Sequence, residues 1–345
     1  MDVMGVPERS RTARVRLRLA AWWEANARDL PWRFGRATPW GILVSEVMSQ
    51  QTQMSRVVPY WTAWMERWPD AAALAAAPKS DVIGAWGRLG YPRRALRLQE
   101  CARVVAGACG DELPRTYDAL VALPGVGDYT ASAVMSFAYG ERIAVVDTNI
   151  RRVLSRVFAG EESRGGAASA AERALAAAVL PGDDGSDGAG SDDDDDVPRD
   201  VSRDSGDVPH DVSRDGSRIP SVMWNQSVME LGALVCTAKN PLCGHCPVRD
   251  DCAFLAAGRP GLGERRTRPR QRFRGTDRQV RGIVLDALRG LPAASEQSAG
   301  RASVLERATV ETLWKDHAQL DRCVASLDED GLIEILPGGA IRLPR

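Results

Sequence analysis

The run Leu123-Pro-Gly-Val-Gly-Asp-Tyr-Thr-Ala131 confines what this chain can become more than any other stretch. Thr116–Ala122 reads as the end of one helix. Asp128–Tyr139 reads as another, with Ala131, Val134, Met135 and Ala138 at the i, i+3, i+4, i+7 spacing of one helical face. Only Leu-Pro-Gly-Val-Gly separates the two. Pro124 restricts its predecessor, and Gly125 and Gly127 let the backbone turn tightly and approach another molecule closely. The amides opening the second helix then point outward with partial positive charge, an anion site that reads no base or side-chain identity. Helix, glycine hairpin and helix together suit a clamp on one backbone phosphate of DNA. Val145-Val-Asp147-Thr-Asn149 follows one helix later. On residues alone, Asp147 is also an N-cap for a helix over Thr148–Phe158, and Gly-Val-Gly a plain turn.

The chain has 345 residues, room for about two domains, and its 44% hydrophobic content suits a sizeable core. No run approaches the ~18 consecutive apolar residues of a membrane span. Met1–Arg18 is arginine-rich but lacks the apolar centre and cleavage site of a secretory signal, so a bacterial cytoplasmic location with the nucleoid as workplace is expected. The seven cysteines, four of them between 236 and 252, fit a metal site in a reducing compartment better than a disulfide framework. The net charge of −1 conceals an asymmetry. Residues 181–220 hold thirteen Asp and four Arg with no Lys or Glu, a local −9, which leaves +8 for the remainder. The folded parts are therefore basic, as a polyanion binder should be.

In chain order, residues 1–12 read as a flexible arm and Arg14–Ala27 as a helix. Thr38-Pro39 opens the next in the preferred way, with Thr as N-cap and Pro at the first helical position. Helices follow over Val57–Arg67, Ala71–Ala77, Ser80–Leu89 and Arg94–Ala108. Almost nothing up to 180 alternates with period two, so the region is all-α. The acidic, imperfectly duplicated 181–220 cannot bury enough apolar surface to offset its ordering entropy and reads as a disordered insertion. Val222–Gly232 is a helix running into the first clustered cysteine. Residues 261–275 form a basic linker, with eight arginines between 265 and 281. Residues 276–345 suggest three helices (Thr276–Arg289, Arg301–Trp314, Ala318–Asp328) and a β-hairpin turning at Pro337-Gly-Gly, a small winged-helix-like domain.

The cysteines stand as Cys236-x6-Cys243-x2-Cys246-x5-Cys252. Four thiolates so spaced hold either a tetrahedral zinc or a [4Fe–4S] cluster, and a single Cys-x2-Cys knuckle is unlike a zinc ribbon. Ser45-Glu46-Val-Met-Ser-Gln50-Gln51-Thr-Gln53 is the second signature. Glu46 sits among Leu43, Val44, Val47 and Met48, where desolvation keeps a carboxyl protonated as a general acid.

Hairpin, Asp147, the 6-2-5 cysteine spacing and the Ser-Glu-x-Met-x-Gln-Gln-Thr-Gln run resemble the adenine DNA glycosylases of the MutY type, within the helix-hairpin-helix/Gly-Pro-Asp superfamily, over roughly residues 14–260. The resemblance implies a mainly α fold across 13–260: a six-helix barrel (36–147) and an iron–sulfur cluster domain (13–35 with 148–260). It implies a [4Fe–4S] cluster on the four cysteines. The implied substrate is double-stranded DNA with an adenine:8-oxoguanine or adenine:guanine mispair, bound by a monomer with no membrane partner. By the same resemblance Glu46 protonates adenine N7 and Asp147 stabilises the oxocarbenium-like sugar, a division of labour akin to glycoside hydrolysis. Asn149 hydrogen-bonds within the site. Gln226 reads the flipped adenine, and Arg33 lines the same pocket. Gln51 and Tyr91 push into the duplex to hold the base out. Lys239, His245 and Arg249, in the cluster loop, are expected to meet phosphates.

Tyr129 separates two enzyme readings. Endonuclease III-like enzymes carry at this position a lysine that forms a Schiff base with the sugar, which a phenol cannot do. A monofunctional glycosylase is therefore expected over a lyase acting on oxidised pyrimidines. The rival outside enzymes is an iron–sulfur DNA-binding regulator. The residues after 275 are too few, with too little strand, for the nucleotide-pyrophosphohydrolase-like domain with which many adenine glycosylases read 8-oxoguanine.

Overall fold

The computed structural model describes residues 7–163, 165–182, 219–264, 273–291 and 304–345. Its helices run, in order, α1 (Arg9–Asn26), α2 (Pro39–Ser49), α3 (Met54–Arg67), α4 (Ala71–Ala76), α5 (Lys79–Trp86), α6 (Arg93–Ala108), α7 (Tyr117–Val121), α8 (Asp128–Tyr139), α9 (Thr148–Leu154), α10 (Ala170–Ala178), α11 (Pro220–Leu234) and α12 (Ala253–Ala256). They are followed by α13 (Asp277–Arg289), β1 (Val304–Leu305), α14 (Arg307–Thr312), α15 (His317–Glu329), β2 (Glu334–Ile335) and β3 (Ile341–Arg342). No helix among the described residues is long and apolar enough to cross a membrane. The chain divides into two compact units: Met1–Leu43 with Arg115–Val121 and Val126–Arg266, and Val44–Pro114 with Ala122–Gly125 and Thr267–Arg345.

The first unit is built on α9 and α11, both buried over most of their length, with α1, α8 and α10 around them. Val15, Leu19, Ile150, Val153, Leu175, Trp224, Val228 and Leu231 form its core. Two paired carboxylates are sunk into it. Arg151 meets Glu172 at 2.8 Å, both 6% exposed. Glu230, fully buried on α11, accepts from Arg28 at 2.7 Å and from Arg33 at 2.9 Å. Arg9–Thr12, expected as a flexible arm, instead open α1. Arg11 there donates to the Asp251 and Val157 carbonyls and lies over the Phe158 ring, which fixes this end of the helix. Helix α10, absent from the sequence reading, starts at a complete capping box of Ser169 and Glu172.

In the second unit Trp64 meets Trp86 and Trp68 edge-on, with ring centroids 5.7 and 4.7 Å apart. The buried Gln99 of α6 donates to the Leu74 and Ala77 carbonyls, closing the end of α4. The C-terminal segment shares a core with this unit: Val280, Val284 and Leu288 of α13, Leu320 and Val324 of α15, and Ile341 of β3 pack with Ile83 of α5. Its antiparallel sheet has the order β1-β3-β2, with Leu305 and Ile335 both opposite Ile341. Among the described residues this segment runs helix, strand, two helices, two strands. One expected element differs. Within the expected Arg301–Trp314 helix, Val304–Leu305 is a strand and the helix begins at Arg307, because pairing with β3 supplies backbone partners that outweigh local preference. Most of the acidic insertion (183–218) and of the basic linker (265–272) lies outside the described residues.

Candidate active site

Helix α7 and helix α8 flank the hairpin as the sequence requires. Gly125 has φ +79°, and a Cβ there would stand 3.1 Å from that of Arg97, so both conformation and space demand glycine. Gly127 differs. Its φ is −106°, and a Cβ would meet nothing within 4 Å, so the fold itself does not require glycine there. Gly127 also supplies no side-chain cap to α8.

Asp147 is the N-cap of α9. Its Oδ1 accepts from the Ile150 amide at 2.6 Å, and its Oδ2 accepts from Asn149 Nδ2 at 2.9 Å. Burial raises this carboxyl above its ordinary value, and hydrogen bonds from the Ile150 and Asn149 amides and the Asn149 side chain, with the charge of Arg152, oppose that only in part. Behind it, Arg152 donates to Asn149 Oδ1 at 2.8 Å, to the Gly232 carbonyl at 2.6 Å and to the Cys236 carbonyl at 2.8 Å. Asn149 thus faces the carboxylate with its amide and the guanidinium with its carbonyl, which settles its orientation. Helix α11 touches this assembly at Gly232, where a Cβ would stand 2.7 Å from that of Asn149. One turn before Glu230, Gln226 is buried, while Asn225 beside it donates to Ser136 and the Ile143 carbonyl.

Arg33 is only 8% exposed and is committed to Glu230, with its guanidinium 4.8 Å from the centre of the Trp23 ring. Glu230 is held down to about 2: burial pushes it up, and the hydrogen bonds from Arg28 and Arg33 more than offset this. Tyr129 packs on the core of the first unit and lines an open cavity of about 360 Å³ with Tyr117, Asp128, Ser132, Arg142 and Arg173. Tyr117 donates to Asp128 at 2.5 Å, which drives its phenol up to about 12. Asp147 and Gln226 do not line this cavity.

In the second unit, Glu46 is 8% exposed on α2, between Leu43, Val44, Val47 and Met48, all buried. Gln51 and Tyr91, far apart in sequence, both adopt left-handed backbone, at φ +56° and +49°. Their loops are tied together. Thr52 Oγ1 donates to the Leu89 carbonyl, and Arg94 donates to the Val47 and Gly90 carbonyls and to Thr52. Strained non-glycine residues of this kind cluster at functional sites.

The four cysteines line one cavity, walled by Val157, Leu231, Val235, Phe254 and Leu255. Burial pushes Cys246 up to about 12 and raises Cys236 and Cys252, so these sulfurs ionise only against added positive charge. Among the described residues no three His, Cys, Asp or Glu side chains are placed to hold one metal ion. Four thiols lining one cavity are a donor set that an iron–sulfur cluster takes. Arg156, itself buried, donates to Cys236 Sγ at 3.3 Å and to the Thr237 carbonyl. The loop is pinned to α1 through Arg14 and Arg18, which pair with Asp251. Lys239, His245 and Arg249 are exposed on it.

The family model described as HhH-GPD superfamily base excision DNA repair protein matches residues 44–178, and that for the iron–sulfur binding domain of endonuclease III matches 236–252. The chain is 42% identical over 327 residues to the adenine DNA glycosylase of Mycolicibacterium smegmatis, covering 94% of both proteins. This chain belongs to the adenine DNA glycosylase family. The adenine DNA glycosylase of Mycobacterium tuberculosis is also 42% identical, over 94% of this chain and 92% of its own length. The human member is 38% identical over 245 residues, 68% of this chain and 38% of that protein. A solved thermostable thymine-DNA glycosylase superposes with a TM-score of 0.57 at 25% identity, covering 72% of this chain and 98% of that one. Endonuclease III in a non-covalent DNA complex gives 0.54 at 19% identity, covering 73% and 98%, a likeness of fold alone. The chain is thus a base-excision repair enzyme that acts on DNA, and Cys236, Cys243, Cys246 and Cys252 form its iron–sulfur loop.

Sequence reasoning missed Arg28, Arg152, Arg156, Glu230 and Arg94. A glycine inside α11 was the one available signal, since glycine within a helix marks close approach of another backbone.

Proposed function

We propose that this adenine DNA glycosylase hydrolyses the N-glycosidic bond of adenine paired with 8-oxoguanine or guanine, as a monomer, on a base turned out of the duplex and without strand cleavage. The observation that carries the reading is the Asp147 carboxyl, buried and held on both oxygens, so that it cannot swing away from a cation forming beside it. Glu46 delivers a proton to adenine N7, the bond to the sugar breaks with its electron pair leaving on the base, and Asp147 stabilises the cation until water adds. Gln51 and Tyr91 hold the base out, Gln226 contacts it, and Asn149 keeps Asp147 in register. Arg33 acts through its bond to Glu230, by steadying α11. The open space over Gly127 and the uncapped start of α8 leave room for a phosphate. When bound, the iron–sulfur cluster supplies a rigid fold staple, and Lys239, His245 and Arg249 on its loop meet the DNA backbone.

Monofunctional chemistry is supported by the lysine inventory. Lysine occurs only at 79, 239 and 315, none of them on α8 or α9 where an imine-forming amine would be needed. The test is base release from duplexes holding adenine opposite 8-oxoguanine, guanine or cytosine, with thymine glycol as the rival substrate. Adenine should leave the first two, with no nick before alkali and no borohydride adduct. Release of thymine glycol, or an adduct in good yield, defeats the reading.

A further inference from the structure

The C-terminal module is fastened to α5 and α6 at several points. Asp330 accepts from Arg281 at 2.5 Å within the module and pairs with Arg93 of α6 at 3.2 Å. Arg289 donates to the Ile83 carbonyl at 3.2 Å, and Arg88 pairs with Asp286 at 3.0 Å. Ile83 completes the module's own core. On α13, Arg278, Arg281, Leu285 and Arg289 follow at steps of three and four, which places them on one stripe about 80° wide. Arg281 and Arg289 are engaged in the ways just described, and Leu285 is buried in the same core as Ile83. The remaining one, Arg278, has neither ion pair nor hydrogen bond among the described residues. Its guanidinium lies 5.3 Å from the centre of the Tyr91 ring.

That ring is the half-exposed side chain (49%) of a residue in left-handed backbone. Arg94, in the first turn of α6, approaches it to 5.6 Å from the centroid. The aromatic side chain assigned to hold the base out is therefore flanked by two cations, one from the barrel and one from the module. We propose that Arg278 is a positioning residue for Tyr91, and that the C-terminal module thereby takes part in base extrusion as well as in packing. This rests on the role given to Tyr91 above. A guanidinium over an aromatic face at an exposed site holds the ring at a chosen tilt without closing it off from the duplex. It also needs α13 to be immobile against α5 and α6, which the ion pairs and Ile83 provide.

The experiment uses the full-length, cluster-loaded protein and compares wild type with Arg278→Ala, Arg278→Lys, Tyr91→Leu and the double variant Tyr91→Leu/Arg278→Ala. Single-turnover adenine release opposite 8-oxoguanine is measured, together with the fluorescence rise of 2-aminopurine placed as the target base. Arg278→Ala should lower both by about two- to fivefold at an unchanged melting temperature, Arg278→Lys should restore them, and the double variant should be no worse than Tyr91→Leu. An Arg278→Ala protein that matches wild type, or losses that multiply in the double variant, overturns the proposal while leaving the enzyme reading intact. A wild type that releases no adenine from any duplex overturns the enzyme reading, and this inference with it.

Discussion

In the unit that carries Asp147, arginines are sunk into the core: Arg33, Arg151 and Arg156 are nearly inaccessible, and their partners are carboxylates, backbone carbonyls and, for Arg156, the Cys236 sulfur. In the unit that carries Glu46, most arginines stand near the surface, and Arg88 and Arg93 meet acids in exposed pairs. Buried pairs cost desolvation and hold geometry only if both partners stay. Exposed pairs contribute little stability and are screened by salt. The difference separates two tasks. On the proposed function, one unit keeps a charged group still beside the sugar, and the other presents residues on left-handed backbone to an incoming duplex.

The sharpest way to break this contrast is at the charged groups themselves. Asp147→Asn and Glu46→Gln should each slow single-turnover adenine release by about 10²–10⁴-fold, with mispair binding largely kept. Asp147→Asn should also raise the melting temperature near neutral pH. Burial lifts the Asp147 carboxyl, so the folded chain keeps a proton that the unfolded chain has already released, and stability falls as pH rises through that interval. The Asn variant escapes the fall, so its advantage should be larger at neutral pH than at a pH below the ordinary carboxyl range. An Asn variant less stable at both pH values contradicts this.

Next in size is the buried trio. Glu230→Ala leaves Arg28 and Arg33 without their carboxylate and should cost ~3–5 kcal/mol in denaturant unfolding. Because Glu230 is depressed from 4.5 to about 2, the wild-type contribution is complete above the ordinary carboxyl range and is lost as pH falls from there through about 2. The variant should lack that acid limb. The smallest effect is expected in the other unit. Gln51→Gly relieves left-handed strain and should stabilise by about 1 kcal/mol while slowing base release. A destabilised Gln51→Gly protein erases the distinction between the two units.

Much of this was legible before any coordinates. The hairpin, the cysteine loop and most helices follow from local spacing, and local spacing is what a sequence displays. Ser169-x-x-Glu172 was also legible as a capping box, though it stood among alanines that carry no periodic signal. β1 was hidden because two residues acquire strand character only from a partner about 37 positions away. The arginine partners were hidden for the same reason: Arg28 and Glu230 are 202 residues apart, and charge alone does not say which acid an arginine will meet. Gly127 shows the converse, a residue conspicuous in sequence that the folded chain alone does not demand.

Gly232 never touches a substrate on this account, yet one added methyl there would collide with the neighbouring helix start. The clearance between two backbones lets Asn149 keep the place from which it holds Asp147. A spacing is in this way stored as a missing atom. Any replacement of Gly232 would erase it while leaving Asp147 itself unchanged.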